Sequence, residues 1–373
     1  MSTAFSILIT ILIFNIIIVV HEFGHYITAK KFGVGIKEFS IGMGPAIYQR
    51  HKKESRFVMF RKSKEFSEDE FKFSIRLLPI GGFVSLKGEE ASSQDPDSFS
   101  VLKPWKRLVV FLAGAFMNFV LGIVCISIIA TCFIDVDITT KVASFDPIVT
   151  EEGVEEEALS STSGLKVGDE IYKVNGYRTL DITDIQYQLA LANKDSVDII
   201  VKRNGELVTI EDVKFPSVEQ QGIKSLMMDF NVAAEEKTFG GTLKYIGTST
   251  VAVVKMVYRT IGDLVTGKIP ITSASGIVGV TATVSDTVQS GMGVADMLYF
   301  FIYLTFLLTI NIGLFNVLPI PALDGGQSCM CIFEMVTKKK IPEKVYKIIT
   351  TIFFVALLAF MAFITVKDVI GLF

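Results

Sequence analysis

The chain has 373 residues, half of them hydrophobic, and its formal net charge is −3. Length alone would allow two or three globular domains, but the hydrophobic fraction indicates a membrane protein instead. The small negative charge excludes the basic surface expected of a nucleic-acid-binding protein. The four cysteines follow neither a disulfide framework nor CxxC zinc spacing, so we interpret them as apolar packing residues.

Four stretches without a charged side chain are long enough to cross a bilayer, namely residues 2–20, 108–134, 297–323 and 348–366. A spanning helix needs about 20 apolar residues at ~1.5 Å each. The second and third stretches exceed that length, which predicts tilt or a broken, non-helical end. The first stretch lacks the basic start and the cleavage site of a signal peptide. We therefore expect it to be retained, with a cleaved signal as the alternative.

The motif HEFGH, residues 21–25, directly follows the first apolar stretch. On a helix His21 and His25 share one face because they are four residues apart. Both imidazoles can then bind one Zn²⁺, and Glu22 lies beside the water that the metal activates. The alternative is a polar cap on the first span, but uncompensated polar groups near the membrane core are costly.

Residues 31–104 alternate polar and apolar side chains in two places, IKEFSIGM and FKFSIRLLPIGGFVSLKGEE. Alternation predicts β-strands, and Pro79, Gly81 and Gly82 predict a sharp turn within the second. The hairpin that results would expose an edge near Gly81, Gly82 and Phe83. Such an edge can bind an extended peptide by strand addition, although a small sheet used only for packing fits the pattern equally well.

Residues 135–215 contain SGLKVGDEIYKVNG followed by a helical stretch and a hairpin around Asn204 and Gly205. This region resembles a bacterial protease-associated PDZ domain. The matching residues are Gly164, Leu165, Gly168, Asp169, Ile171, Val174, Asn175 and Gly176. Peptide capture and a steric or packing role are both open. Residues 216–295 follow, and their segment around 242–265 predicts an amphipathic helix rather than a span.

A catalytic zinc site uses three protein ligands and one open position. The third histidine, His51, is a poor candidate because Lys52 and Lys53 would repel the cation. Asp324 in NVLPIPALDGG is the notable carboxylate, since it ends the third apolar stretch after two helix-breaking prolines. Gly325 and Gly326 are expected to free the backbone that follows. The alternative is that Asp324 only caps the next helix.

The distribution of charge predicts the orientation in the membrane. Residues 33–103 and 338–347 are rich in Lys and Arg, whereas residues 135–237 are acidic. The positive-inside rule places the two basic loops in the cytoplasm. Both termini and the acidic segment then lie outside. The third span runs inward, so it brings Asp324 to the same side as His21 and His25.

HEFGH, NVLPIPALDGG, RLLPIGGFVSLKGEE and GAFMN, which comprises residues 114–118, together resemble the site-2 protease family of intramembrane zinc metalloproteases. The resemblance is to the bacterial, PDZ-containing branch of the regulator-of-sigma-factor protease type. It implies Zn²⁺ bound by His21, His25 and Asp324, with Glu22 as the general base. Asn316, Asn118 and the hairpin residues Gly81, Gly82 and Phe83 are implied to bind the substrate. For Asn118, packing between helices is the alternative.

The fold class that we predict is an α-helical polytopic membrane protein with a membrane-associated β-hairpin and an inserted α+β PDZ domain. Its domains are residues 1–30, 31–104, 105–134, 135–215, 216–295, 296–330 and 331–373. The family implies regulated cleavage of single-pass proteins in the bacterial plasma membrane. Anti-sigma factors, remnant signal peptides and pheromone precursors are all open as substrates, and so is the need for a first cut by a site-1 protease. A non-catalytic PDZ adaptor and a zinc transporter are the alternatives, although no internal repeat favours the transporter.

Overall fold

The computed structural model describes residues 3–51, 54–57, 71–89, 95–149, 155–220, 223–339 and 341–371. Parts of the basic and acidic segments that predict the orientation, including residues 58–70 and 150–154, lie outside the described residues. The chain divides into two compact units. We name Met1–Cys125 with Asp263–Phe373 the membrane unit, and Ile126–Gly262 the inserted unit.

The helices of the described chain include the predicted spans. They are α1 (Thr3–Lys31), α2 (Pro104–Cys132), α3 (Leu159–Thr162), α4 (Ile182–Ala190), α5 (Phe239–Val265), α6 (Ile277–Gln289), α7 (Val294–Val317), α8 (Asp324–Thr337) and α9 (Glu343–Ile370). Within the described residues, α1, α2, α7 and α9 are the helices long and apolar enough to cross a membrane. The predicted set of four spans is confirmed, and α5 is not among them.

The third apolar stretch is broken where its prolines lie. Helix α7 ends at Val317 and α8 begins at Asp324, with an irregular turn that contains both prolines between them. Gly325 and Gly326 adopt helical backbone, contrary to the expectation that they free the chain from it. A Cβ on Gly325 would lie 2.0 Å from the Leu318 carbonyl oxygen. These glycines therefore serve the close approach of α8 to the turn.

The membrane unit contains β1 (Ile36–His51), β2 (Glu54–Phe57) and β3 (Lys72–Leu86) in the order β2-β1-β3. Ser40 in β1 is paired with both Phe83 and Ser74. Because one residue can pair twice only on its two opposite sides, β3 must fold back on itself. The fold passes through Gly81, whose φ of +83° favours glycine. Among described strands none pairs with the outer side of residues 82–86, which therefore form the edge of this sheet.

A buried charge network joins the two long strands of this sheet. Glu38 is 5% exposed, and its carboxylate accepts from Arg76 at 2.7 Å and faces Lys72 Nζ at 3.1 Å. Arg76 Nε also donates to Ser40 Oγ at 2.9 Å. Burial alone would raise the pKa of Glu38, but hydrogen bonds from Ser74, Arg76 and Lys72 outweigh it and lower this pKa. The network thus keeps an ionised carboxylate inside the sheet.

The inserted unit is built on a separate sheet and core. Its strands are β4 (Val136–Phe145), β5 (Ile148–Val149), β6 (Glu155–Glu156), β7 (Glu170–Val174), β8 (Tyr177–Arg178), β9 (Ser196–Arg203), β10 (Glu206–Lys214), β11 (Ser217–Gln220), β12 (Ile223–Leu226) and β13 (Phe230–Glu236). The main sheet has the order β10-β9-β7-β4-β13, with β8 beside β7. Buried apolar side chains of β7, β9 and α4 fill the core. Strand β13 lies beyond the domain boundary predicted at residue 215, yet it pairs with β4.

Candidate active site

Three predicted metal ligands meet in the membrane unit. HEFGH lies within α1, so His21 and His25 share one face of the helix as predicted, and their Nε2 atoms are 3.1 Å apart. Asp324 Oδ2 lies 3.0 Å from His21 Nε2 and 3.2 Å from His25 Nε2. Helix α8 begins at Asp324, and Leu323 occupies its N-cap position without a side-chain cap. The carboxylate of Asp324 is thus directed at the histidines rather than used as a helix cap.

The ring nitrogens that face away from Asp324 are held by other groups. His25 Nδ1 lies 2.9 Å from the Val110 carbonyl oxygen. A carbonyl oxygen can only accept, so Nδ1 carries the hydrogen and Nε2 presents a lone pair. The amide of Asn118 lies 3.3 Å from His21 Nδ1. A rotation of this amide exchanges its oxygen and nitrogen. With the amide oxygen of Asn118 facing Nδ1, His21 carries its hydrogen on Nδ1 and presents the lone pair of Nε2, as His25 does.

The donor set fits zinc. Two imidazole nitrogens and a carboxylate oxygen are typical catalytic zinc ligands, and tetrahedral bonds of ~2.0–2.2 Å put such ligands roughly 3.3 Å apart. Among the described residues, Asp324 Oδ2 is buried without a hydrogen-bond partner of good geometry. Burial disfavours its ionised form, but the two imidazoles outweigh burial and hold the pKa of Asp324 well below its usual range. An ionised carboxylate with a free lone pair is what a bound cation needs.

Gly114, the first residue of GAFMN, allows α2 to pass directly beside the histidines. A Cβ on Gly114 would lie 2.4 Å from His25 Nε2 and 2.7 Å from His21 Nε2. On the other helix, a Cβ on Gly24 would lie 2.3 Å from the Ala113 carbonyl oxygen. Both approaches are shorter than any real Cβ contact. The two glycines therefore fix how closely α1 and α2 can pack around the metal ligands.

Glu22 is anchored by the sheet edge. Its Oε2 accepts a hydrogen bond from the Val84 backbone N–H at 2.9 Å. The next outward-facing amide of the same edge, that of Leu86, donates to Glu89 Oε2 at 3.3 Å. Lys87 N–H instead donates to the Gly35 carbonyl on the β1 side. The alternation shows that the amides of Val84 and Leu86 face away from β1, toward the carboxylates of Glu22 and Glu89.

An open cavity of about 220 Å³ lies between the edge and the ligands. Its lining consists of His21, Glu22, His25, Phe83, Val84, Leu86, Glu89, Val110, Phe111 and Asp324. It contains the predicted ligands, the predicted base and one of the predicted hairpin residues, Phe83. Gly81 and Gly82 are buried next to it but are not part of the lining.

The two asparagines predicted to bind the substrate, Asn118 and Asn316, do not line this cavity. Asn118 is 0% exposed and contacts His21, so its geometry favours orienting that histidine. The Nδ2 of Asn316 donates to the Ile312 carbonyl of its own helix at 3.0 Å. Asn316 does not belong to the lining of the cavity described above. Substrate binding by either residue remains a prediction.

Glu89 and Asn15 are among the residues of this region that sequence reasoning missed. Glu89 lies in the quoted motif LKGEE, yet nothing in the strand pattern shows that it turns into the cavity. Asn15 lies inside the first span, and its Nδ2 donates to the Pro79 carbonyl at the fold of β3 at 2.8 Å. A lone amide within an apolar span is the signal that could have found it, since such a group requires a partner there.

Comparison with known proteins gives the family. The sequence pattern of peptidase family M50 matches residues 9–63 and 58–360. The chain belongs to peptidase family M50. A chain of Clostridium acetobutylicum, named provisionally as a zinc metalloprotease, is 31% identical over 98% of both chains. The regulator of sigma-W protease RasP of Bacillus subtilis is 25% identical, over 97% of this chain and 98% of its own length.

Membership in this family makes the chain a membrane zinc metalloprotease with Zn²⁺ as its cofactor. Metalloprotease MmpA of Caulobacter vibrioides, 28% identical over 90% of this chain, adds a third relative of the same kind. The adaptor and transporter alternatives therefore give way to an enzyme. The family resemblance drawn from the motifs is confirmed.

Proposed function

We propose that the chain hydrolyses peptide bonds within or beside transmembrane segments of single-pass membrane proteins. The observation that carries this is the convergence of His21, His25 and Asp324 in the C-terminal half of α1, a helix long and apolar enough to cross a membrane, with Glu22 beside them. His21, His25 and Asp324 would hold the zinc. When bound, zinc supplies a Lewis acid that polarises the scissile carbonyl and makes water more acidic.

Glu22 would act as the general base of this reaction. Its carboxylate takes the proton from the attacking water and passes it to the leaving amine. The Val84 amide holds one oxygen of Glu22 at 2.9 Å and leaves the other free to receive this proton. Because the anchor is backbone, replacing the side chain of Val84 would not remove it.

The substrate would bind as an added strand on residues 82–86. A closed helix hides its carbonyl groups, so the segment to be cut must be extended. The edge has no described strand on its outer side, and its Val84 and Leu86 amides hold the carboxylates of Glu22 and Glu89. Strand addition would bring the substrate backbone alongside this edge, next to those two carboxylates.

We further propose that the active site faces the cytoplasm and that the inserted unit is an extracytoplasmic PDZ domain. The basic end of α1, with Lys30 and Lys31, supports the first proposal. The turn at Asn175 and Gly176 between β7 and β8, followed by α4, supports the second. The proposed substrate classes are anti-sigma factors and remnant signal peptides, and the proposed process is regulated intramembrane proteolysis. The name of the relative RasP, regulator of sigma-W protease, supports the first of these classes.

The test compares the purified wild-type chain with Glu22→Gln on a reporter that has one transmembrane segment. We expect the variant to keep one zinc per chain and to lose cleavage by at least about 100-fold, since it lacks the general base. Cleavage at the wild-type rate by Glu22→Gln would contradict the mechanism. Wild type without zinc would contradict the assignment of the ligands.

A further inference from the structure

The second carboxylate on the substrate edge has no part in the chemistry described above. Glu89 lines the same cavity as Glu22, and its Oε2 accepts from the Leu86 amide. The residue is exposed. A carboxylate in this position is available to a ligand in the cavity.

The spacing between the two carboxylates follows the strand. Val84 and Leu86 are two residues apart, and their outward amides hold Glu22 and Glu89 in turn. Two residues of a strand cover about 6.6 Å. A substrate strand bound with its scissile bond at Glu22 therefore brings the residue two positions away to Glu89. Glu89 already accepts the hydrogen bond of the Leu86 amide. This substrate residue therefore meets the Glu89 carboxylate rather than a free backbone donor.

The direction of this step is set by α1. Asn15 of α1 donates to the Pro79 carbonyl, and Glu22, further along α1, accepts from the Val84 amide. The Lys87 amide donates to the Gly35 carbonyl, which lies beyond the end of α1. Movement from the fold of β3 toward Glu89 thus follows α1 toward its basic end, at Lys30 and Lys31. A substrate span has its own Lys and Arg residues on the cytoplasmic flank by the same positive-inside rule. The flank that reaches Glu89 is therefore cationic.

We propose that Glu89 is a specificity residue that binds a Lys or Arg side chain of the substrate two residues from the scissile bond, on the side of the basic end of α1. The ion pair sets the register of the substrate strand on residues 82–86 and so decides which peptide bond reaches Glu22. This inference rests on the proposed function, because it assumes that a membrane-spanning substrate binds at the edge.

The experiment moves a single lysine along the reporter, with glutamine at every other tested position, and maps each cut by mass spectrometry. For wild type we expect kcat/KM to peak with lysine two residues from the cut, about tenfold above glutamine, as a charge-assisted contact gives. In Glu89→Gln this ratio falls to about one. In Glu89→Lys the preference is expected to invert, so that a reporter with glutamate two residues from the cut is favoured. Misfolding cannot produce such a gain.

Asp95→Asn is the matched control, because it removes a carboxylate that pairs with Lys87 at 3.4 Å and does not line the cavity. We expect it to keep the lysine preference. The proposal is overturned if the peak persists in Glu89→Gln, or if Asp95→Asn removes it equally. Wild type that cuts no reporter would instead contradict the proposed function, so the two failures are distinguishable.

Discussion

Asp324 in the membrane unit and Asp169 in the inserted unit are both largely buried carboxylates, and their surroundings differ. Arg203 donates to both oxygens of Asp169 at 2.7 Å, and the Lys166 amide adds a third bond. Asp324 instead faces two imidazoles and keeps Oδ2 without a well-formed hydrogen bond among the described residues. A carboxylate whose partners are all protein donors stabilises a fold. A carboxylate that lies close to other acceptors requires a cation to compensate them.

The largest effect should come from removing these two carboxylates separately. Asp324→Asn should lower zinc affinity by more than about 100-fold and abolish cleavage, because a ligand is lost. Asp169→Asn should keep zinc but destabilise the inserted unit by about 2 kcal/mol, since Arg203 is partly exposed and solvent screens the pair. Zinc content and hydrogen exchange of the full-length chain measure both. Equal zinc loss in the two variants would break the comparison.

A methyl group at Gly114 tests how tightly the site is packed. Gly114→Ala should lower activity by about 100-fold, because its Cβ would displace both histidines and a shift of ~1 Å can cost that much. Gly122→Ala on the same helix is the control. Its Cβ would meet side chains rather than metal ligands, namely the end of Ile310 at 2.6 Å and the methyl group of Thr309 at 3.4 Å. Zinc-dependent cleavage rates should separate the two, and equal rates would show that the site tolerates the displacement.

Asn118 offers a smaller effect of the same kind. Asn118→Ala should weaken zinc binding by about 10- to 100-fold, because it removes the group that orients His21. Thr309→Val is the control, since Thr309 donates to the Asn118 backbone oxygen at 3.1 Å and has no hydrogen bond to a ligand among the described residues. Competition with a chelator measures the affinity. If Asn118→Ala raised KM for the reporter without changing zinc affinity, the substrate-binding prediction would be favoured instead.

The smallest predicted effect is a pH dependence of opposite sign in the two units. The pKa of Glu38 is lowered from 4.5, so its contribution to stability is present above that value and is lost as the pH falls through the folded pKa. Burial raises the pKa of Asp229 in the inserted unit, against hydrogen bonds from Ser160. Its contribution is therefore present below 3.8, the ordinary value, and is lost as the pH rises through the folded pKa.

Hydrogen exchange, corrected for intrinsic rates, can follow both units of the full-length chain between about pH 3 and 7. Acid should speed exchange in β1 and β3 by an amount equivalent to about 1 kcal/mol and should slow it around β13. Glu38→Gln should remove the pH dependence in β1 and β3 alone. Parallel acid destabilisation of both units would contradict the opposite signs.

The sequence by itself determined the elements whose signal is local. Charge-free stretches predicted the four spans, the spacing of HEFGH placed two histidines on one face, and two prolines predicted the break before Asp324. The sequence also indicated Asp324 as the third zinc ligand, because His51 was a poor candidate for that ligand. In the structure His51 lies in β1, where its Nδ1 is within 2.9 Å of the Phe71 carbonyl oxygen.

Tertiary structure alone decided what surrounds those residues. Val84 holds Glu22 across 62 residues of sequence, and Asn118 reaches His21 across 97. Glu89 enters the cavity because β3 folds back along α1, and Gly114 matters because two helices cross at the ligands. Periodicity and composition report the face of a single helix or strand. They contain no information on which distant backbone donor or side chain that face will meet, since this depends on packing between elements.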